Sequence, residues 1–122
     1  MTKKLRKSSN ASLAARFSAL SDPTRVRLLH LLLPGEMCVC DLVDIIEVPQ
    51  PTASRHLGHL RKANLVQTEK RGLWIYYTLA PAKTAFHKAL IDCIRVGAKE
   101  CPVLQEDAKR RRARARQATS CC

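Results

Sequence analysis

The chain has 122 residues, six cysteines, four histidines and a formal net charge of +12, enough for one domain with a modest core and too little for a catalytic cleft between two domains. No run approaches the ~18 consecutive apolar residues of a membrane span, and no apolar segment with a small-residue cleavage site follows the basic start. The sequence therefore reads as a cytoplasmic protein. An organelle presequence is the lesser reading of the Lys- and Ser-rich first residues, because Ser21-Asp22-Pro23 opens a core helix soon after them. The charge is uneven: residues 1–10 carry +4 and residues 109–116 carry +6, leaving +2 for the body between. Within that body, residues 36–47 hold Glu36, Asp41, Asp44 and Glu47 without a base, whereas residues 50–71 hold Arg55, Arg61, Lys62, Lys70 and Arg71 against Glu69 alone. A basic block of that kind is where phosphates bind, while the charged tails read as solvated ends that can add non-specific affinity for nucleic acid.

Leu13, Ala14, Phe17 and Leu20 recur at helical spacing, and Asp22 caps a second helix whose first residue is Pro23. That helix runs through Val26, Leu28, Leu29, Leu31 and Leu32 to Pro34-Gly35 and is apolar enough to be core. A third helix is predicted over about 41–46, with Leu42, Ile45 and Ile46 inward, and a fourth over about 51–63, with Ala53, Leu57 and Leu60 inward. Their link, Glu47-Val48-Pro49-Gln50, is as short as that of a helix-turn-helix. Residues 65–70 and 73–79 alternate around Lys70-Arg71-Gly72, a hairpin signal strengthened by Trp74, Tyr76 and Tyr77. The fold class expected is mainly α with a β-hairpin wing, a winged helix-turn-helix. A last helix over about 81–97 places Ala82, Ala85, Phe86, Ala89, Leu90, Cys93 and Ile94 on one stripe. So wide an apolar stripe packs between subunits rather than facing water, which predicts a homodimer with Cys93 in buried core. The expected organisation is a basic flexible arm (1–11), a winged helix-turn-helix domain for DNA binding and dimerisation (12–100), and a basic, disordered, cysteine-containing tail (101–122).

On the fourth helix the apolar positions leave Gln50, Thr52, Ser54, Arg55, His59 and Arg61 on outward or flanking faces. This is a major-groove inventory: Gln pairs with adenine, Arg with guanine, Ser or Thr with bases or phosphates. Pro51 at the helix start points free N–H groups toward a phosphate, and Lys70 and Arg71 at the hairpin tip suit the DNA backbone or minor groove. An ordinary polar surface helix is the bland alternative for either segment alone; the combination favours double-stranded operator DNA as partner.

Over residues 12–98 the chain resembles the ArsR/SmtB family of winged-helix repressors. The resemblance is carried by Asp22-Pro23-Thr24-Arg25 and the Leu run after it, Cys38-Val39-Cys40-Asp41-Leu42, Pro51-Thr52-Ala53-Ser54-Arg55-His56-Leu57, Leu60-Arg61-Lys62-Ala63 and Gly72-Leu73-Trp74-Ile75-Tyr76-Tyr77. The Cys-Val-Cys-Asp-Leu segment is similar to the arsenite-responsive branch, whose members leave their operator when As(III) or Sb(III) binds. The resemblance implies base-facing roles for Gln50, Thr52, Ser54 and Arg55 and wing contacts for Lys70 and Arg71; His56 is counted with these DNA-binding residues, its ring expected to pack near the reading helix.

Six cysteines in a reducing compartment read as ligands or redox sensors rather than structural disulfides. As(III) and Sb(III) favour three thiolates, whereas structural zinc takes four ligands. Cys38 and Cys40 are the leading pair. In regular helix they would point about 200° apart, so they converge on one ion only if the turn entering the third helix is irregular. The helix N-terminus favours thiolate there, and Glu36, Asp41 and Asp44 oppose it. Where some members of the arsenite branch carry a further Cys this chain has Val43, leaving Cys101, Cys121, Cys122, a hydroxide or nothing as third ligand. His30, His56, His59 and His87 lack the paired spacing of a zinc site. The competing functions are a repressor sensing oxidation or persulfide through Cys38 or Cys40, a small thiol oxidoreductase, disfavoured by the absence of a Cys-x-x-Cys pair or any catalytic constellation, and an RNA-binding protein, disfavoured by the lack of an aromatic sheet face. No catalytic residue or catalytic cofactor is expected.

Overall fold

The computed structural model describes residues 13–116. Helix α1 covers residues 13–19 and is followed by α2 (Pro23–Leu32), strand β1 (Met37–Cys38), α3 (Val39–Ile46), α4 (Gln50–Lys62), β2 (Val66–Arg71), β3 (Trp74–Leu79), α5 (Ala85–Ala98) and α6 (Pro102–Arg116). Asp22 Oδ1 caps α2 by accepting from the N–H groups of Thr24 at 2.8 Å and Arg25 at 3.1 Å, with Pro23 opening the helix. Helix α3 stops where Glu47 takes a left-handed conformation (φ 58°, ψ 44°) and its N–H bonds the Val43 carbonyl at 2.9 Å. That single residue turns the chain from α3 into α4.

The core is built on α2. Leu28, Leu29, Leu31 and Leu32 are all but fully buried, and they pack in one cluster with Leu42, Ile45 and Ile46 of α3 and Ala53, Leu57 and Leu60 of α4. The helix-turn-helix is therefore one packed unit, not two helices on a hinge. The sheet has strand order β1-β3-β2, all antiparallel, and the hairpin turns through Gly72 (φ 60°) and Leu73 between the paired Arg71 and Trp74. Strand β1 was not expected from the sequence: Met37 and Cys38 pair with Tyr77 and Tyr76, so the segment before α3 is joined to the root of the wing.

Two expectations need correction. Residues from 101 onward were expected to form a disordered tail, yet Pro102–Arg116 is a helix lying on α2 and α3. Its packing is mostly polar: Leu104 and Asp107 are its buried residues, arginines bond α2 and α3, and Gln105 donates to the Ala98 and Lys99 carbonyls at the end of α5. On α5 the buried stripe is His87, Leu90, Ile91 and Ile94, so Cys93 is exposed and not core. The apolar positions of α5 are too many for one face, and the stripe that binds the domain is rotated from the one containing Ala89 and Cys93. Thr84 Oγ1 caps α5 by accepting from His87 N at 3.1 Å.

Candidate DNA interface and thiol site

Helix α4 turns its apolar side, Ala53, Leu57 and Leu60, into the core and leaves Gln50, Ser54, Arg55, His59, Arg61 and Lys62 exposed, with Thr52 half-buried. Its N-terminus has no side-chain cap; Pro49 precedes the helix and Pro51 sits in its first turn. A free first-turn N–H with the positive end of the helix behind it is an anion site.

His56 differs from its neighbours. It is 9 % exposed, its Nδ1 lies 3.1 Å from Arg25 Nη1 and 3.8 Å from Asp22 Oδ1, and burial lowers its pKa. A neutral Nδ1 accepting from Arg25 fits this geometry. Arg25 also donates to the Ala19 carbonyl at 2.8 Å and to that of Ser18 at 3.4 Å. The place of His56 among the DNA-binding residues is thereby corrected: its ring packs, tying α4 to the joint between α1 and α2, and does not face outward.

At the wing tip, Lys70 and Arg71 are both exposed. Arg71 is engaged: its guanidinium donates to both Glu36 oxygens, at 2.7 and 2.5 Å, and to Glu69 at 2.9 Å, and lies 4.4 Å from the Tyr76 ring centre. These carboxylates hold its pKa above the ordinary arginine value. Lys70 has no ion pair among the described residues, so it is the readier cation for a phosphate.

Cys38 and Cys40 flank the strand-to-helix junction. Cys38 is extended (φ −71°, ψ 148°), 1 % exposed and the N-cap of α3, while half-buried Cys40 is already helical. The irregular turn that convergence of the two sulfurs requires is thus present. Each of the two is disulfide-bonded, whereas Cys93 and Cys101 are free thiols. Cys121 and Cys122 lie outside the described residues. Among the described residues, no group of three or more Cys, His, Asp or Glu side chains is placed to hold a metal ion. Sequence reasoning missed the nearby arginines. Arg114 donates to Asp41 at 2.6 Å and also to Asp44, and Arg111 donates to the carbonyls of Leu31 and Gly35 at 3.1 and 3.3 Å.

A core-packed helix-turn-helix, an outward polar reading helix and a basic β-hairpin define a winged helix-turn-helix DNA-binding protein. Residues 22–68 match the family described as bacterial regulatory protein, arsR family. The chain is 42 % identical over 77 residues to an uncharacterized HTH-type transcriptional regulator, MJ1325, of Methanocaldococcus jannaschii, covering 62 % of this chain and 86 % of that one. It is also 42 % identical over 77 residues to the arsenical resistance operon repressor of Escherichia coli, of whose length it spans 66 %. Among solved structures it resembles the homodimeric winged helix-turn-helix DNA-binding domain of Mb0332 from Mycobacterium bovis, with a TM-score of 0.68 and 26 % identity over 78 % of this chain and 85 % of that one. The chain belongs to the arsR family of bacterial regulatory proteins. It is a transcriptional regulator, not an enzyme. Among the described residues, no helix is long and apolar enough to cross a membrane.

Proposed function

We propose that this protein is a homodimeric repressor that leaves its operator when As(III) or Sb(III) binds the thiolates of Cys38 and Cys40. The observation that carries this reading is the position of the pair at the start of α3, the helix packed directly on the reading helix α4. Gln50, Thr52, Ser54 and Arg55 address the major groove, the uncapped start of α4 takes a phosphate, and Lys70 with Arg71 serves the wing. Metalloid–sulfur bonds formed across the strand-to-helix junction change the first turn of α3, and Leu42, Ile45 and Ile46 pass that change to Ala53, Leu57 and Leu60. A coupling of about 1.4 kcal/mol weakens operator binding tenfold, within the usual allosteric range.

The dimer reading draws on α1 and α5, where Leu13, Phe17, Ala89, Cys93 and Val96 are exposed and Phe17 meets Phe86 edge-on at 5.4 Å. Apolar surface spread over two adjacent helices suits a second copy. The named E. coli repressor of arsenical resistance supports the metalloid as inducer.

The test is fluorescence anisotropy of reduced protein on DNA from upstream of its own gene, titrated with arsenite, wild type beside a Cys38→Ser, Cys40→Ser variant. Release of the wild type alone supports the reading; release of both moves sensing to other cysteines; release of neither defeats it. A redox-sensing repressor is the second reading, favoured by the disulfide-bonded state of Cys38 and Cys40. It predicts release by oxidant or persulfide, with a mass shift, and none by arsenite.

A further inference from the structure

We propose that the cavity between the end of α2 and the second half of α6 is a binding site for a small aromatic carboxylate that also carries a hydroxyl group. The proposal does not depend on what Cys38 and Cys40 sense.

The cavity has a volume of about 400 Å³, within the range of pockets that hold small organic molecules. One side comes from His30, Leu31, Leu33 and Pro34, where α2 ends, and the other from α6. The α6 residues that line it, at positions 108, 111, 112 and 115, are spaced three and four apart and so share one face of the helix. Two of them are alanines, short enough to leave a gap that a longer side chain would fill. A flat ring fits between those alanines and the apolar pair Leu33 and Pro34, where it gains burial and dispersion contacts.

Charge selects an anion. No carboxylate lines this cavity, whereas two other cavities along α6 set Arg114 beside Asp41 and Arg110 beside Glu47. Asp107, next in sequence to Ala108, is taken up by Arg27. Half-buried Arg111 donates to the carbonyls of Leu31 and Gly35, and burial holds its pKa below the ordinary arginine value despite the charge of Asp41. Exposed Arg112 has no ion pair among the described residues. A carboxylate placed here gains a charge-assisted fork from Arg112 and offsets the poorly compensated charge of Arg111, while a cation would be repelled by both.

The hydroxyl answers a different residue. His30 lines the cavity, and its Nδ1 is buried without a hydrogen-bond partner, a state that folded proteins seldom leave uncompensated. Burial lowers the pKa of the ring, so it is neutral near pH 7, and a hydroxyl can donate to Nδ1 in one tautomer or accept from it in the other. None of the lining residues belongs to α1 or α5, on which the dimer reading draws, so that reading leaves the cavity to another occupant. A molecule touching both sides ties α6 to α2 and adds a second hold to that of Arg27 on Asp107.

The test is calorimetric titration of the full, reduced protein with 6-hydroxy-2-naphthoate, which carries both groups on two fused rings. Wild type is expected to bind it saturably, one molecule per subunit, and the amides of α6 should gain protection from hydrogen exchange when it is bound. Removing the carboxylate, with 2-naphthol as probe, or its partner, in Arg112→Gln, should each weaken binding about tenfold. Removing the hydroxyl, with 2-naphthoate, should weaken it about threefold in wild type and not at all in His30→Leu. Ala108→Leu, which fills the gap, should abolish binding; circular dichroism matching wild type shows that each variant is folded. Absence of saturable binding by wild type, equal affinity for 2-naphthol, or affinity unchanged in both Arg112→Gln and Ala108→Leu overturns the proposal, as does binding that leaves α6 protection unaltered.

Discussion

The Arg27–Asp107 pair offers the sharpest test of how α6 is held. Asp107 is 1 % exposed and accepts two bonds from the Arg27 guanidinium, at 2.8 and 2.9 Å, and this partner raises the Arg27 pKa. Removing one member of a buried pair costs ~3–5 kcal/mol. The Arg27 side chain is 23 % exposed, so its orphaned charge regains some water, and about 3 kcal/mol is the figure to expect for Asp107→Ala. The remaining α6 arginine ion pairs are more exposed and worth at most ~1 kcal/mol each. The loss should therefore free α6 before it unfolds the domain. In hydrogen exchange, amides of Pro102–Arg116 should lose roughly 100-fold of protection, since each 1.4 kcal/mol is a factor of ten, while the core leucines of α2 stay protected. Arg27→Met combined with Asp107→Leu should restore protection, because an apolar pair of similar size carries no desolvation penalty. Unchanged α6 protection in Asp107→Ala would refute the claim that this pair latches the helix.

Burial lowers the pKa of His30, His56 and His87. Below the ordinary imidazole value of about 6.5 the unfolded chain takes up protons that the folded chain resists. The stability these groups contribute is whole above that pH and is lost as pH falls toward their lowered folded values; a urea midpoint that stays level or rises between pH 7 and 5.5 would contradict it. Gly72 has φ 60° and nothing within 4 Å of where a Cβ would stand, so Gly72→Val should cost about 1–2 kcal/mol from backbone strain alone, seen in urea unfolding; a neutral result would show that the hairpin relaxes. For DNA binding, Lys70→Ala should reduce the slope of log affinity against log salt by about 1. Arg71→Ala should reduce it less, because that guanidinium already holds Glu36 and Glu69; equal slopes would mean that DNA breaks those pairs.

Much of the architecture could be read from the residues because the signals were periodic. Asp22-Pro23 capped α2 as expected, and the inward sets of α3 and α4 emerged as read. What escaped had weak local signals. Strand β1 is two residues long and exists only through its pairing with β3. Helix α6 was hidden by its arginines, whose composition resembles a disordered tail; the overlooked sign was one acid, Asp107, spaced from Leu104, Arg111 and Ala115 as on one helical face. Cys93 was misplaced because α5 carries apolar residues on two faces, and periodicity alone does not say which one the domain keeps. His56 was grouped with the DNA-binding residues while being read as packing near the reading helix, and only the approach of Arg25 from α2 shows what its ring packs against.

The pairing of Cys38 with Tyr76 gives the thiol segment two outlets. Forward, Cys38 caps the helix that supports α4; sideways, it belongs to the same sheet as the hairpin that carries Lys70 and Arg71. A strand can shift only by carrying or breaking its ladder, so a pull at this one residue bears on the groove-reading helix and the flanking hairpin together. Such a grip has a single release catch for both fingers, and partial letting go, with the helix free and the wing still attached, is the outcome this wiring discourages.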